Sequence, residues 1–322
     1  MGSKRVVVIQ RIRVELLSIP ELASWPELAT LIERPTDEET LPCWELPVLA
    51  CQAVGGGAEQ AWPGAAAIFC LLYSIHLVDD LLDHDPRGLH VIHGEGRVAN
   101  FALALQAAGS LIVERTELAP ERRASIHREL ARAALATAYG QHLDLDDFEG
   151  EDEYWKVVET KTPPLFAGAL AIGGSLGQAS AEIVETLRRL GFLVGKTVQI
   201  SDDLKDAFEK PAAPDWSRRY NNLPILYSLT ADHLDRQLFS ELLADIEEQA
   251  ALERAQDILV RSGAVSFCVY QMIELHRSAK ELIREARFVD PRPLEEMLER
   301  YVRPLKGLLE KVGIENLETL FD

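Results

Sequence analysis

The chain has 322 residues, 47% hydrophobic and 26% charged, so it can build a substantial core and is not globally disordered. Acidic residues outnumber basic ones 52 to 33, a formal net charge of −19, which excludes a nucleic-acid partner and means that a polyanionic ligand needs a bridging cation. Four scattered cysteines (Cys43, Cys51, Cys70, Cys268) form no CxxC pair, which excludes a zinc or disulfide framework and fits a reducing compartment.

Apolar residues recur at three- and four-residue spacing, and strand-type alternation is almost absent. The pattern predicts helices over 63–84, 97–117, 120–147, 151–174, 179–209, 221–231, 232–262, 263–287 and 292–311, separated by Pro and Gly punctuation such as Pro86, Pro120, Pro163-Pro164 and Pro291. The N-terminus lacks the apolar core of a signal peptide. The longest uncharged run, Pro63 to Val78, is too short for a membrane span and reads as a buried helix. These features predict a cytoplasmic protein with no membrane span. No flexible linker divides the chain, so residues 1–322 read as a single all-α domain. Phe208 to Asn222, Pro-rich and mixed in charge, reads equally as a lid or as an ordinary connection.

Two acidic clusters stand out. The apolar run ending at Val78 leads into Asp79-Asp80-Leu-Leu-Asp83, and a second ending at Ser201 leads into Asp202-Asp203-Leu-Lys-Asp206. On a helix, carboxylates at i and i+4 stack roughly 6 Å apart on one face. Held that close they repel, unless a hard cation sits between them. Oxygen donors suit Mg²⁺, which takes its remaining ligands from water and phosphate. A single DDxxD reads as a solvated acidic face; two copies, each ending an apolar helix, point to metal-assisted binding of a diphosphate. All six aspartates are candidate metal ligands.

With their flanks, the two clusters resemble the trans-isoprenyl diphosphate synthases (polyprenyl synthetases). The resemblance is clearest over 46–229. Between the clusters lie Gly140-Gln141-His-Leu-Asp144, similar to a GQxxD element, and Tyr154 to Lys161-Thr162, similar to YxxxxxxKT. Gly191, Gly195 and Gln199 precede the second cluster, as in GxxxGxxxQxxDDxxD. The resemblance implies an all-α helical bundle around a deep apolar cavity, with both clusters at its mouth. It further implies two or three Mg²⁺ ions bridging Asp79, Asp83 and Asp202 to an allylic isoprenoid diphosphate. Lys161 matches the family's diphosphate-binding lysine; Thr162 and Gln199 match residues facing the nascent cation. A homodimer is also implied.

The chain departs from the family where isopentenyl diphosphate binds. Glu39 to Trp44 occupies the place of a GKRxRP-like element and carries no lysine or arginine. The paired arginines expected after the first cluster are reduced to Arg87, which can serve the diphosphate or pair with Asp85. Past the second cluster, Tyr220 stands near an expected lysine, with Lys210, Arg218 and Arg219 as diphosphate-binding candidates. Ile75 and Ser74, four and five places before the first cluster, stand where the resemblance implies that chain length is set; neither is an aromatic plug, which admits a C15 or C20 chain, and Phe69 and Tyr73 can face either way. His76 reads either as a base or as a helix-packing residue. The expectation is therefore prenyl transfer with an altered acceptor site. The alternatives are a class I terpene cyclase acting on one allylic diphosphate and a non-catalytic subunit of a heteromeric synthase.

Overall fold

The computed structural model describes residues 2–32, 42–145, 150–311 and 321, the side chains of 2–7, 218–219 and 307–311 excepted. Every regular element among them is helical. In chain order they are α1 (Gly2–Leu17), α2 (Pro20–Ala23), α3 (Pro26–Ile32), α4 (Leu46–Ala53), α5 (Ala58–Leu82), α6 (His90–His93), α7 (Glu95–Glu114), α8 (Pro120–Leu143) and α9 (Glu151–Lys161). There follow α10 (Pro163–Leu176), α11 (Ala181–Ala207), α12 (Asp215–Arg218), α13 (Leu223–Thr230), α14 (Arg236–Leu242), α15 (Gln249–Arg261), α16 (Ala264–Glu285) and α17 (Arg292–Lys311), with three short 3₁₀ turns at 43–45, 219–221 and 243–245.

The chain forms two compact units. The first comprises 1–138, 164–192 and 280–301; the second comprises 139–163, 193–279 and 302–322. Both are assembled from separated segments, and α8, α10, α11, α16 and α17 contribute residues to each.

In the first unit α5 is central and packs against α1, α4 and α7. Small residues make this possible: Ala65, Ala66 and Ala67 are fully buried, and a Cβ on Gly64 would come within 2.5 Å of Leu176. The helix begins where Gln60 Oε1 accepts the Gly57 amide at 2.8 Å and ends at Leu82 with Asp83 as its C-cap. It thus outruns the uncharged segment Pro63–Val78 at both ends. By length and composition α5 and α7 are each long enough and apolar enough to cross a membrane, and the bent pair α15–α16 passes jointly; the apolar windows of α5 and α7 are 50% and 44% buried within the fold. The sequence argument against a span, made on the short uncharged run alone, therefore does not carry over to the whole helix.

The second unit has two apolar clusters. One joins Tyr154, Ile200, Leu223, Cys268, Met272 and Phe321, and the other joins Ala207, Trp216, Phe239, Leu252 and Ile258. Two expected helices are broken. Pro163, which lacks an amide hydrogen and suits a first turn, separates α9 from α10. The stretch 232–262 divides into α14, a 3₁₀ turn and α15.

Candidate active site

The first cluster belongs to the first unit. Asp79 and Asp80 lie in the last turn of α5 and the Asp83 amide donates to the Asp79 carbonyl at 2.9 Å, so the helical phase continues through the motif. All three residues are partly exposed. A helix C-terminus carries the negative end of the backbone dipole, and carboxylates there are unfavourable without a cation. Burial, then the charge of Asp85, pushes the Asp80 carboxyl up from its ordinary value. His76 sits one turn earlier; loss of hydration lowers its pKa against the pull of Asp79 and Asp80, which favours the neutral imidazole.

Arg87 forks onto Asp85, with Nε to Oδ1 at 3.1 Å and Nη2 to Oδ2 at 2.9 Å, while its side chain remains 80% exposed. Of its two readings, pairing with Asp85 is the one seen. Glu39 to Leu41 lie outside the described residues. The rest of that segment holds no cation: Cys43 and Trp44 are buried, and the neighbouring Glu45, also buried, faces Arg300 at 3.5 Å. Trp44 meets Phe69 edge-on, Phe69 stacks on Tyr73 at 4.2 Å, and Tyr73 tilts towards His76 at 6.4 Å.

The second cluster belongs to the second unit and ends α11. Asp202 is exposed and Asp206 partly so. Crowding by the surrounding protein, which strips away water even though Asp202 keeps an exposed face, pushes both carboxyls up to about 6; Asp215 and Asp202 add to the shift at Asp206, while Lys205 and Lys161 oppose it at Asp202. Asp203 differs. It is 2% exposed, its Oδ2 accepts the Tyr154 hydroxyl at 2.6 Å and the Leu223 amide at 2.9 Å, and its Oδ1 accepts Gln199 Nε2 at 2.9 Å. Burial pushes it up to about 7 despite these three donors. Both oxygens of Asp203, one of the six candidate metal ligands, thus accept hydrogen bonds from the fold.

Lys161, Thr162 and Gln199 come together. Lys161 Nζ donates to Asp144 Oδ2 at 2.6 Å, and the Thr162 hydroxyl donates to Gln199 Oε1 at 2.6 Å. Glycine allows this approach. A Cβ on Gly140 would lie 2.5 Å from the Lys161 nitrogen, and one on Gly195 would lie 2.4 Å from Pro163 Cα. Two asparagines absent from the sequence argument join them. Asn221 Nδ2 donates to the Asp144 carbonyl at 2.9 Å and to its Oδ1 at 3.2 Å. Asn222, fully buried, donates to the Asp203 carbonyl at 2.8 Å and to Asp215 at 2.9 Å. Their adjacency just before Leu223-Pro224 was the available signal.

Among the diphosphate candidates, Lys210 pairs with Glu253 at 2.9 Å, and the side chains of Arg218 and Arg219 lie outside the described residues. The stretch Phe208–Asn222 is anchored by Trp216, which is 1% exposed and lies against Phe239. Among the described residues no three His, Cys, Asp or Glu side chains converge as a ready-made metal cage. The two i, i+4 pairs instead suit Mg²⁺, which binds one or two carboxylates and leaves other positions for water and phosphate.

Known proteins resemble the chain in sequence and in fold. A geranylgeranyl diphosphate synthase of Methanosarcina mazei is 35% identical over 170 residues, 49% of this chain and 52% of that protein, so the match spans about half the relative's length. A short chain isoprenyl diphosphate synthase of Methanothermobacter thermautotrophicus is 28% identical over 282 residues, 80% of this chain and 83% of the relative. The fold matches a crystal structure of a polyprenyl synthetase from Streptomyces coelicolor with a TM-score of 0.76 at 21% identity, covering 94% of this chain and 96% of that one. The polyprenyl synthetase family model matches residues 46–259, well over half of the chain, and the chain belongs to that family.

Proposed function

We propose that this protein is a Mg²⁺-dependent prenyltransferase that ionises an allylic isoprenoid diphosphate and passes the prenyl cation to an acceptor other than isopentenyl diphosphate. The observation that carries the ionising half is the pair of carboxylate clusters, each placed at the electrically unfavourable end of a long helix. In this reading Asp79 and Asp83, with Asp80 beside them, would hold metal at the first cluster, Asp202 and Asp206 would hold it at the second, and Asp203 shapes the second cluster from behind. When bound, Mg²⁺ supplies the positive charge that neutralises a departing pyrophosphate.

The remaining chemistry belongs to side chains. The allylic C–O bond breaks heterolytically and pyrophosphate leaves with the electron pair. Lys161, already held as an ammonium beside Asp144, offers its charge to the leaving group. The Thr162 hydroxyl is committed to Gln199 as donor, so its oxygen lone pairs are what it presents to a nearby cation. Support for the altered acceptor is the buried Cys43-Trp44-Glu45 stretch and the commitment of Arg87 to Asp85, where several free cations would be needed to hold a second diphosphate. A homodimer is part of this reading, in keeping with Leu103 and Leu111, exposed on α7 in the single chain.

The cyclase reading is favoured by one observation. Phe69, Tyr73 and His76 run along α5 towards Asp79, and aromatic faces stabilise a cation that turns on its own double bonds. Incubation with Mg²⁺ and C10, C15 or C20 allylic diphosphates, with and without isopentenyl diphosphate, decides between them. Longer diphosphates formed only with isopentenyl diphosphate overturn the altered acceptor. A hydrocarbon or alcohol formed without it selects the cyclase. Loss of all activity in Asp79→Ala and Asp202→Ala is expected; full activity in both overturns the metal assignment.

A further inference from the structure

The hydrogen bonds of the second unit close into a ring. From Asp203 Oδ1 it runs to Gln199, from Gln199 to Thr162, and along one peptide to Lys161. Lys161 bonds Asp144, Asp144 bonds Asn221, and the chain continues through Asn222 to the Leu223 amide, which returns to Asp203 Oδ2. Four separate stretches are thereby joined: the end of α8, the end of α9, the last turns of α11 and the connection ahead of α13.

The weak point of such a ring is the partner of the lysine. An ammonium on a long side chain is flexible, and it is useful to an incoming anion only where its position is fixed beforehand. Asp144 has just 10% of its side chain exposed. Asn221 holds it too, its one amide nitrogen donating to the Asp144 carbonyl and to the carboxylate oxygen that Lys161 does not take. Asn222 is rigid in turn, with its amide shared between the Asp203 carbonyl and Asp215. We propose that Asn221 is a positioning residue for anion binding, which orients Asp144 and through it Lys161, with Asn222 fixing Asn221 in place. Asn221 then acts on the anion site through this contact and touches no substrate itself. The proposal rests on Lys161 serving the diphosphate as argued above.

The test uses full-length protein and inorganic pyrophosphate in excess Mg²⁺, read by titration calorimetry, beside pyrophosphate release from a C15 allylic diphosphate. Asn221→Asp keeps the size of the side chain and removes the donor; Asn221→Gln keeps a donor. The expected result is pyrophosphate affinity about five- to tenfold weaker in Asn221→Asp and Asn221→Ala, the coupling typical of one hydrogen-bond network, with partial rescue in Asn221→Gln. In an Asp144→Asn background the same Asn221→Ala change has less than a twofold effect, because its path to Lys161 is already cut. An equal factor in both backgrounds, tracking a fall in Tm, makes Asn221 merely structural and overturns the proposal. Wild-type affinity in Asn221→Ala overturns it too. A wild-type protein that binds no pyrophosphate in Mg²⁺ overturns the functional reading first, and this one with it.

Discussion

Asp202 and Asp203 are consecutive, yet one is exposed and the other 2% exposed. A helix turns by about 100° per residue, so neighbours in a DD pair cannot share a face, while residues four apart can. Replacement by asparagine separates their roles. Asp203→Asn leaves the donors around it poorly matched in a buried site, at about 1–3 kcal/mol, and Tm falls by several degrees. Asp202→Asn is expected to keep or raise the Tm of the metal-free protein, because it removes a charge the fold resists, while the Mg²⁺ needed for half-maximal activity rises by at least about tenfold. Thermal unfolding and a Mg²⁺ titration on both variants check the pair, and interchanged phenotypes reverse the assignment. The pH dependence follows from Asp202 and Asp206, whose carboxyls the loss of surrounding water pushes up from 3.8 to about 6. Both folded-state values lie above the unfolded one, so the metal-free fold binds extra protons between these limits. Its stability from these groups rises as pH falls through about 6 and declines as pH rises. Mg²⁺ competes with those protons, so the Tm gain on adding Mg²⁺ is larger at about pH 7.5 than at about pH 5.5; equal gains overturn the assignment. The sequence displayed the six aspartates but not their division of labour. Burial of Asp203 depends on Tyr154 and Leu223, partners 49 and 20 residues away.

At the level of the helices, the glycines of the quoted motifs are explained by close backbone approach. Gly140→Ala would put a methyl group 2.5 Å from the Lys161 nitrogen, where backbone rather than a flexible side chain must move. A cost of about 1–3 kcal/mol and a loss of activity are expected, read by chemical denaturation and pyrophosphate release. Gly96→Ala, in the first turn of α7 with nothing within 4 Å of its added methyl, is the matched control and is expected to be neutral or slightly stabilising. Most of the long helices were legible because their apolar period persists over many turns, as in α5 and α11, though α1 was not among those expected. Of the short ones, α13 was expected, over 221–231, and the others were not marked out. Helices of four to eight residues such as α2, α4 and α12 are shorter than the window in which a period is visible, and packing rather than pattern holds them. The segment Phe208–Asn222 looked loop-like for its prolines, while the buried Trp216 that pins it reads in sequence as one more aromatic residue.

For the whole molecule, the charge of −19 makes a general prediction. Without divalent metal, inorganic pyrophosphate is expected to bind at least about tenfold more weakly than with Mg²⁺, because a like-charged protein repels it. Chelation followed by calorimetry checks this, and metal-independent binding points to the basic side chains alone. The all-α class was legible along the chain, and the family over 46–229, where the order and spacing of the motifs carry it. The division into two units was not, since each is gathered from stretches far apart in the chain and no linker marks a boundary.

Trp216 has a spectroscopic consequence. An indole sealed among Phe239 and its neighbours emits at shorter wavelength than one in water, and this one sits inside the connection that carries Asn221. The difference spectrum between the protein and its Trp216→Phe variant therefore isolates one dye within that connection. Recorded while pyrophosphate is added, it shows directly whether the segment loosens, tightens or stays still as the anion arrives.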